Sequence, residues 1–351
     1  MQAWKARSEA FQNGQAHPPV DGLPLLPHST GMNAEPRPLP DPFRTGLLTV
    51  GDGNEIYWEI SGNPDGKPAL YLHGGPGTGL RSGSYRRHFD PQRYCIIGID
   101  QRGCGRSRPL APDAPSELQR NTTQALIGDI EAVRAHLGVA SWLVSGVSWG
   151  STLALAYAQA LPDRVSALVL VAVTTTSREE VDWITEGVGR LFPEAWQRFE
   201  RESGRSPGER VVEAYARRLA TGDLRDRLLA SRAWNDWEAT HISLDPGWEP
   251  ASQPPDEDRA FAFATLVTHY WAHDGFLRDG QEILGRIAEI AHIPAVLIHG
   301  RRDFGGPAIT PWTLHQHWPA SRLIIVEGEG HGGPQCFAQM RLALDAFAQS
   351  R

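Results

Sequence analysis

Gly146-Val147-Ser148-Trp149-Gly150 fits the pattern Gly-x-Ser-x-Gly, and the residues on either side of it decide the fold. Before it, Trp142-Leu143-Val144-Ser145 is an apolar run of the length of a buried strand. After it, the stretch from Ser151 to Ala158 is rich in Ala and Leu and reads as a helix. A strand that turns this sharply into a helix holds its central residue in a strained backbone conformation. Small neighbours let the two elements approach closely, and glycine supplies them on both sides of Ser148. The serine hydroxyl is then presented at the top of a sheet, at the N-terminus of the following helix. The pentapeptide alone also occurs as a plain Gly-Ser-Gly turn. The strand before it and the helix after it favour a nucleophile elbow.

Outward from the elbow, buried strands keep delivering chemistry-bearing loops. Upstream, Glu55-Ile56-Tyr57-Trp58-Glu59-Ile60 alternates polar and apolar residues and ends at a turn. Ala69-Leu70-Tyr71-Leu72 runs into His73-Gly74-Gly75-Pro76-Gly77, where a glycine-rich loop can aim backbone N–H groups at an oxyanion. Tyr94-Cys95-Ile96-Ile97-Gly98-Ile99 leads to Asp100-Gln101-Arg102-Gly103-Cys104-Gly105-Arg106-Ser107, at the strand end where open α/β sheets place their sites. Asp100 and Arg102 are expected to pair and shape this loop. Asn121-Thr122-Thr123 caps a helix with Leu126, Ile130, Val133 and Leu137 at helical spacing, closed by Gly138. Residues 165–173 read as a further strand.

Downstream, Pro294-Ala295-Val296-Leu297-Ile298-His299 precedes Asp303, and Leu323-Ile324-Ile325-Val326 precedes His331. A helix over 335–348 ends the chain. Ser148, Asp303 and His331 each fall just past a buried strand, on one sheet edge. Their order, Ser then Asp then His, is that of the α/β-hydrolase triad and differs from the orders in trypsin-like and subtilisin-like proteases. The expected fold is therefore α/β, of the α/β-hydrolase type: a mostly parallel central sheet flanked by helices.

Between 174 and 290 the strand-helix alternation stops. The segment is helical in tone and carries Trp183, Trp196, Trp234, Trp237, Trp248 and Trp271. It reads as a helical lid, or cap, inserted between core segments 46–173 and 291–351. Most of its tryptophans are expected to pack helices, with one or two lining an apolar pocket. Residues 1–45 are punctuated by proline and read as an extended arm, either packed on the surface or partly disordered, within which Met32 is an alternative start.

Composition narrows the function class. The 351 residues carry a formal net charge of −7, which leaves no basic excess to neutralise nucleic-acid phosphates. No run of 18 apolar residues and no apolar leader is present, so neither a membrane span nor a secretory signal is expected. Three cysteines without a CxxC pair suggest neither a disulfide framework nor a cysteine zinc site. The expected setting is the cytoplasm, with no metal or organic cofactor and a small-molecule or peptide partner.

The motifs HGGPG at 73–77, DQRGCGRS at 100–107, the NTT-to-HL helix at 121–137 and GVSWGS at 146–151 resemble those of prolyl aminopeptidases, also called proline iminopeptidases. The resemblance runs from about residue 40 to the end, densest in the first half of the core. It implies a serine peptidase that releases N-terminal proline, with Ser148 as nucleophile, His331 as general base then acid, and Asp303 orienting the imidazole. It also implies an oxyanion hole from the Gly75 and Trp149 N–H groups, with Gly74 as a close neighbour. The family's W-x-x-W-E motif is matched by Trp234-Asn235-Asp236-Trp237-Glu238. That makes Glu238 the anchor for the substrate's amine, with Trp234 and Trp237 beside it. A second family glutamate precedes a His-Tyr-aromatic motif, and here Val267 stands in its place. Losing a charge-assisted hydrogen bond worth about 1.5–3 kcal/mol weakens recognition of a cation.

Three readings follow. The first is an aminopeptidase for N-terminal proline or another small residue. The second is an esterase, amidase or lactonase acting on a neutral substrate, as Val267 permits. The third is a non-catalytic receptor on the same fold, which the complete triad disfavours. A serine at the elbow excludes dehalogenase and epoxide-hydrolase chemistry, which uses aspartate there. The first is the working expectation.

Overall fold

A computed structural model describes residues 36–247, 249 and 256–349. Most of the proline-rich arm, including Met32, and Trp248 of the cap lie outside the described residues. The eight strands are β1 (Arg44–Thr49), β2 (Glu55–Gly62), β3 (Lys67–Leu72), β4 (Tyr94–Ile99), β5 (Trp142–Val147), β6 (Val165–Val171), β7 (Ala295–Gly300) and β8 (Ser321–Val326). They form one sheet in the order β1-β2-β4-β3-β5-β6-β7-β8. The β1/β2 and β2/β4 pairs are antiparallel, and every later pair is parallel.

A parallel strand covered on both faces reads as a continuous apolar run, and β7 is buried at all of its positions. Side chains alternate between faces. Leu70, Val144, Leu168 and Leu297 enter one core cluster with Ile130, Leu153 and Trp318. Leu143, Val169, Val296 and Ile298 enter the other with Met340, Leu344 and Phe347. Helices α1 (Thr123–His136) and α2 (Trp149–Ala160) thus pack on one face, and the C-terminal helix on the other. Thr122 caps α1 by accepting from the Ala125 N–H at 3.2 Å.

The cap leaves the sheet after β6 and returns before β7. Its described helices are α3 (Arg178–Asp182), α4 (Pro193–Ser203), α5 (Val211–Thr221), α6 (Leu224–His241) and α7 (Glu257–Ala272). Phe199, Tyr215, Trp234, Trp237 and Val267 fill its own apolar centre. The chain rejoins the core earlier than residue 290: Ile283, Ile287, Ile290 and Ile293 belong to the α1–α2 cluster, and the Gln159 amide donates to the Ile283 carbonyl at 2.8 Å. The core is completed by α8 (Ile309–Gln316) and α9 (Pro334–Gln349). No helix among the described residues is long and apolar enough to cross a membrane.

One local expectation needs correction. Asp100 does not pair with Arg102. Arg102 reaches Asp129 on the buried face of α1, at 2.7 and 2.9 Å. Asp100 instead takes the Arg106 guanidinium at 2.8 Å and the Leu80 N–H at 2.6 Å. Both loop charges find partners because α1 docks an acid against the loop, which sequence proximity could not indicate. The described end of the arm packs on the core. Arg37 meets Asp345 at 2.7 Å, Arg86 donates to the Pro40 carbonyl, and β1 already begins at Arg44.

Candidate active site

Ser148 sits between β5 and α2 with φ 58° and ψ −126°, a left-handed conformation that costs a non-glycine residue about 1–3 kcal/mol. The glycines that permit it are sterically required. A Cβ on Gly146 would lie 2.2 Å from the Gly150 carbonyl oxygen, and one on Gly150 would lie 2.1 Å from the Leu72 carbonyl oxygen. Strand, helix and the end of β3 are packed backbone to backbone. Ser148 and the glycine-rich loop therefore share one rigid corner.

His331 follows β8 and Asp303 follows β7, and the parallel sheet brings both to the C-terminal edge beside Ser148. The Ser148 hydroxyl lies 2.9 Å from His331 Nε2, and His331 Nδ1 donates to Asp303 Oδ2 at 2.7 Å. The other Asp303 oxygen accepts the Gly306 N–H at 2.8 Å. Burial works against Asp303's charge, but His331, His299 and this N–H hold its carboxyl below the usual range. Burial likewise disfavours a charged His331; the Asp303 carboxylate, helped by Asp245 and Glu238, outweighs it and lifts the imidazole to about 9. Behind the pair, His299 donates to the Gly306 carbonyl at 2.7 Å and accepts from the Val173 N–H at 3.1 Å. Burial lowers its pKa, so it serves as a neutral brace.

Gly74, Gly75 and Trp149 all face the cavity above Ser148. A Cβ on Gly74 would come within 3.2 Å of the Ser148 Cβ, so this loop lies directly on Ser148. Gly75 has φ 111°, which lets its amide turn toward the same space. The Trp149 N–H is the first of α2, and the helical pattern gives it no carbonyl four residues back. Gln101, which the sequence did not single out, braces both sides. Its amide donates to the His73 carbonyl at 2.9 Å and accepts from the Trp149 indole at 2.9 Å.

The cap closes over this edge and leaves a cavity of about 840 Å³. Glu238 faces it. Trp234 and Trp237 do not: both are buried in the cap's apolar centre, a correction to their expected contact with substrate. Residues four apart share a helix face, so the Trp234 indole instead donates to Glu238 Oε1 at 3.2 Å, while Trp237 donates to the Ile184 carbonyl. Among the described residues, Trp271 is the cap tryptophan that lines the cavity, beside Phe263. Val267 is wholly buried among the cap's apolar side chains. Two further residues went unread in the sequence. His241 lies 3.0 Å from Glu238 Oε2, and Asp245, just beyond α6, accepts the His331 backbone N–H at 2.8 Å.

A family model for the alpha/beta hydrolase fold matches residues 67–333. A probable proline iminopeptidase of Streptomyces coelicolor is 47% identical over 298 residues, covering 83% of this chain and 90% of its own. A proline iminopeptidase of Arabidopsis thaliana is 42% identical over 297 residues, covering 83% and 76%. Among solved structures, a proline iminopeptidase-related protein from Thermus thermophilus shares the fold with a TM-score of 0.51. It is 20% identical, and the match covers 87% of this chain and 98% of that one.

Proposed function

The chain belongs to the proline iminopeptidase family of α/β-hydrolase-fold enzymes, and we propose that it releases N-terminal proline, or a similarly small residue, from short peptides and amides. The observation that carries this reading is the unbroken hydrogen-bonded line Ser148–His331–Asp303, opening into a capped cavity that holds Glu238.

In the proposed reaction Ser148 Oγ attacks the carbonyl carbon of the N-terminal residue while His331 Nε2 takes the hydroxyl proton. The oxyanion is received by the Gly75 and Trp149 N–H groups, with Gly74 leaving room for it. Asp303 holds the imidazole in the tautomer that can accept at Nε2 and stabilises the imidazolium. His331 then gives its proton to the leaving amine as the C–N bond breaks, leaving an acyl-enzyme. Water repeats the sequence: His331 takes its proton, the ester opens, and Ser148 is reprotonated. Glu238 receives the substrate's ammonium group, held in place by Trp234 and His241. Trp271 and Phe263 supply the apolar wall for a compact ring. The cytoplasm is the proposed setting, supported by three cysteines that all remain free thiols.

The test is release of p-nitroaniline from L-proline p-nitroanilide by wild type and Ser148→Ala. Loss of roughly four orders of magnitude or more in turnover is expected. Undiminished turnover in the variant would sink the assignment.

A further inference from the structure

Resting on the aminopeptidase reading, we infer that Asp245 is a specificity-determining residue: with Glu238, it forms the carboxylate pair that receives the substrate's ammonium group. Covalent geometry sets the requirement. In an N-terminal residue the amine nitrogen lies about 2.5 Å from the carbonyl carbon that the nucleophile attacks. A carboxylate that reads this amine must therefore stand close to the catalytic serine and histidine, not at the cavity mouth.

Among the described residues five acids line the cavity: Glu180, Glu238, Asp245, Asp256 and Asp303. Three are already committed. Asp303 is divided between His331 and the Gly306 N–H. Asp256 pairs with Arg259 at 3.3 Å and caps its own helix. Glu180 accepts from Thr175, Ser177 and Thr310, four hydrogen bonds in all. Glu238 and Asp245 remain, and no lysine or arginine pairs with either among the described residues.

Glu238 is partly occupied, with Trp234 on one oxygen and His241 on the other. Asp245 uses only Oδ2, for the His331 N–H at 2.8 Å. Among the described residues its Oδ1 meets no donor. That oxygen is pressed against the loop carrying the base, since a Cβ added to Gly330 would lie 2.0 Å from it. Asp245 is thus tied to the backbone of the catalytic histidine itself and lines the same cavity as Ser148, not a separate surface. Both carboxylates also act electrostatically on the His331 ring. The protonated secondary amine of an N-terminal proline has two N–H donors, and two carboxylates with free lone pairs can take one each. The pair supplies a second negative charge from the loop after α6, while position 267 is occupied by a valine buried inside the cap.

The experiment measures kcat/KM for L-proline p-nitroanilide and for p-nitrophenyl acetate, in wild type, Asp245→Asn and Asp245→Glu. Asn keeps an oxygen for the His331 N–H and removes the charge, whereas Glu keeps the charge. The expected result is that the ratio of the cationic substrate to the neutral ester falls at least about tenfold in Asp245→Asn, mainly through KM. Asp245→Glu is expected to recover part of that loss. An unchanged ratio in Asp245→Asn, or equal losses on both substrates, would overturn the inference and leave Asp245 as a clasp on the His331 loop. Equal loss of preference in the Asn and Glu variants would overturn it too. A wild type that turns over the ester and ignores the free amine would overturn the aminopeptidase reading itself, and this inference with it.

Discussion

Replacing Gly150 by alanine tests whether the elbow and the glycine-rich loop are one rigid unit. The added Cβ would meet the Leu72 carbonyl oxygen at 2.1 Å, its carbon at 2.8 Å and the His73 carbonyl oxygen at 3.0 Å. All three are backbone atoms at the end of β3, and none can rotate away as a flexible side chain could. Ordinary contact begins near 3.4 Å, so α2 and the end of β3 must separate by roughly 1 Å, a misplacement that can cost about a hundredfold in rate. The overpacking itself costs about 1–3 kcal/mol, or a melting temperature lower by about 1–4 °C for a chain of this length. The Trp149 N–H moves with α2 and the Gly75 N–H with the loop, so the loss should appear mainly in kcat. The assay is kcat and KM on L-proline p-nitroanilide, together with a thermal melt. Gly128→Ala is the matched control: nothing lies within 4 Å of its Cβ position in α1. Helix propensity alone should stabilise that variant by up to about 1 kcal/mol, with activity retained. A Gly150→Ala enzyme with wild-type kcat and melting temperature would refute the steric argument.

Other expectations follow from the same geometry. His331 is lifted to about 9, and the general base must be unprotonated. With p-nitrophenyl acetate, kcat/KM should therefore rise with pH, reach half its plateau near pH 9 and level off about one pH unit above that. Glu238→Gln removes one field that favours the imidazolium, so the rise should move to lower pH; a shift upward would contradict the assigned electrostatics. Gln101→Leu unties the His73 carbonyl from the Trp149 indole and should lower kcat about tenfold to a hundredfold with a smaller change in KM. A change confined to KM would count against the bracing role. Asp129→Ala leaves Arg102 buried without its partner and should cost about 3–5 kcal/mol, read by denaturant unfolding. A cost below 1 kcal/mol would mean that Asp52, 3.4 Å from Arg102, takes over.

The sheet and the Ser148–His331–Asp303 line were legible because each depends on local pattern. Apolar runs define the strands, and a parallel sheet sends all their C-terminal ends to one edge. Gly146 and Gly150 were readable for the same reason, since the close approach they permit is written into the pentapeptide. The cap resisted the same treatment. The stripe through Arg227, Ala230, Trp234, Trp237 and His241 on α6 is buried, but sequence cannot say whether a buried stripe faces substrate or neighbouring helices. Trp234 and Trp237 turned inward, and among the described cap tryptophans Trp271 is the one at the cavity. Long-range pairs were equally hidden. Arg102 chose Asp129 over Asp100 because α1 docks beside the loop. Asp245 gains its place only when the turn after α6 is folded against the loop of His331. Neither pairing leaves a periodic trace.

The most direct measurement of the central claim is the ratio of kcat/KM for L-proline p-nitroanilide to that for N-acetyl-L-proline p-nitroanilide in the wild-type enzyme. Acetylation removes the positive charge and leaves the scissile bond unchanged. With Glu238 and the nearby carboxylates receiving that charge, the ratio should exceed about a hundred. A ratio near one, or a preference for the acetylated anilide, would contradict an aminopeptidase and make this a hydrolase of neutral substrates.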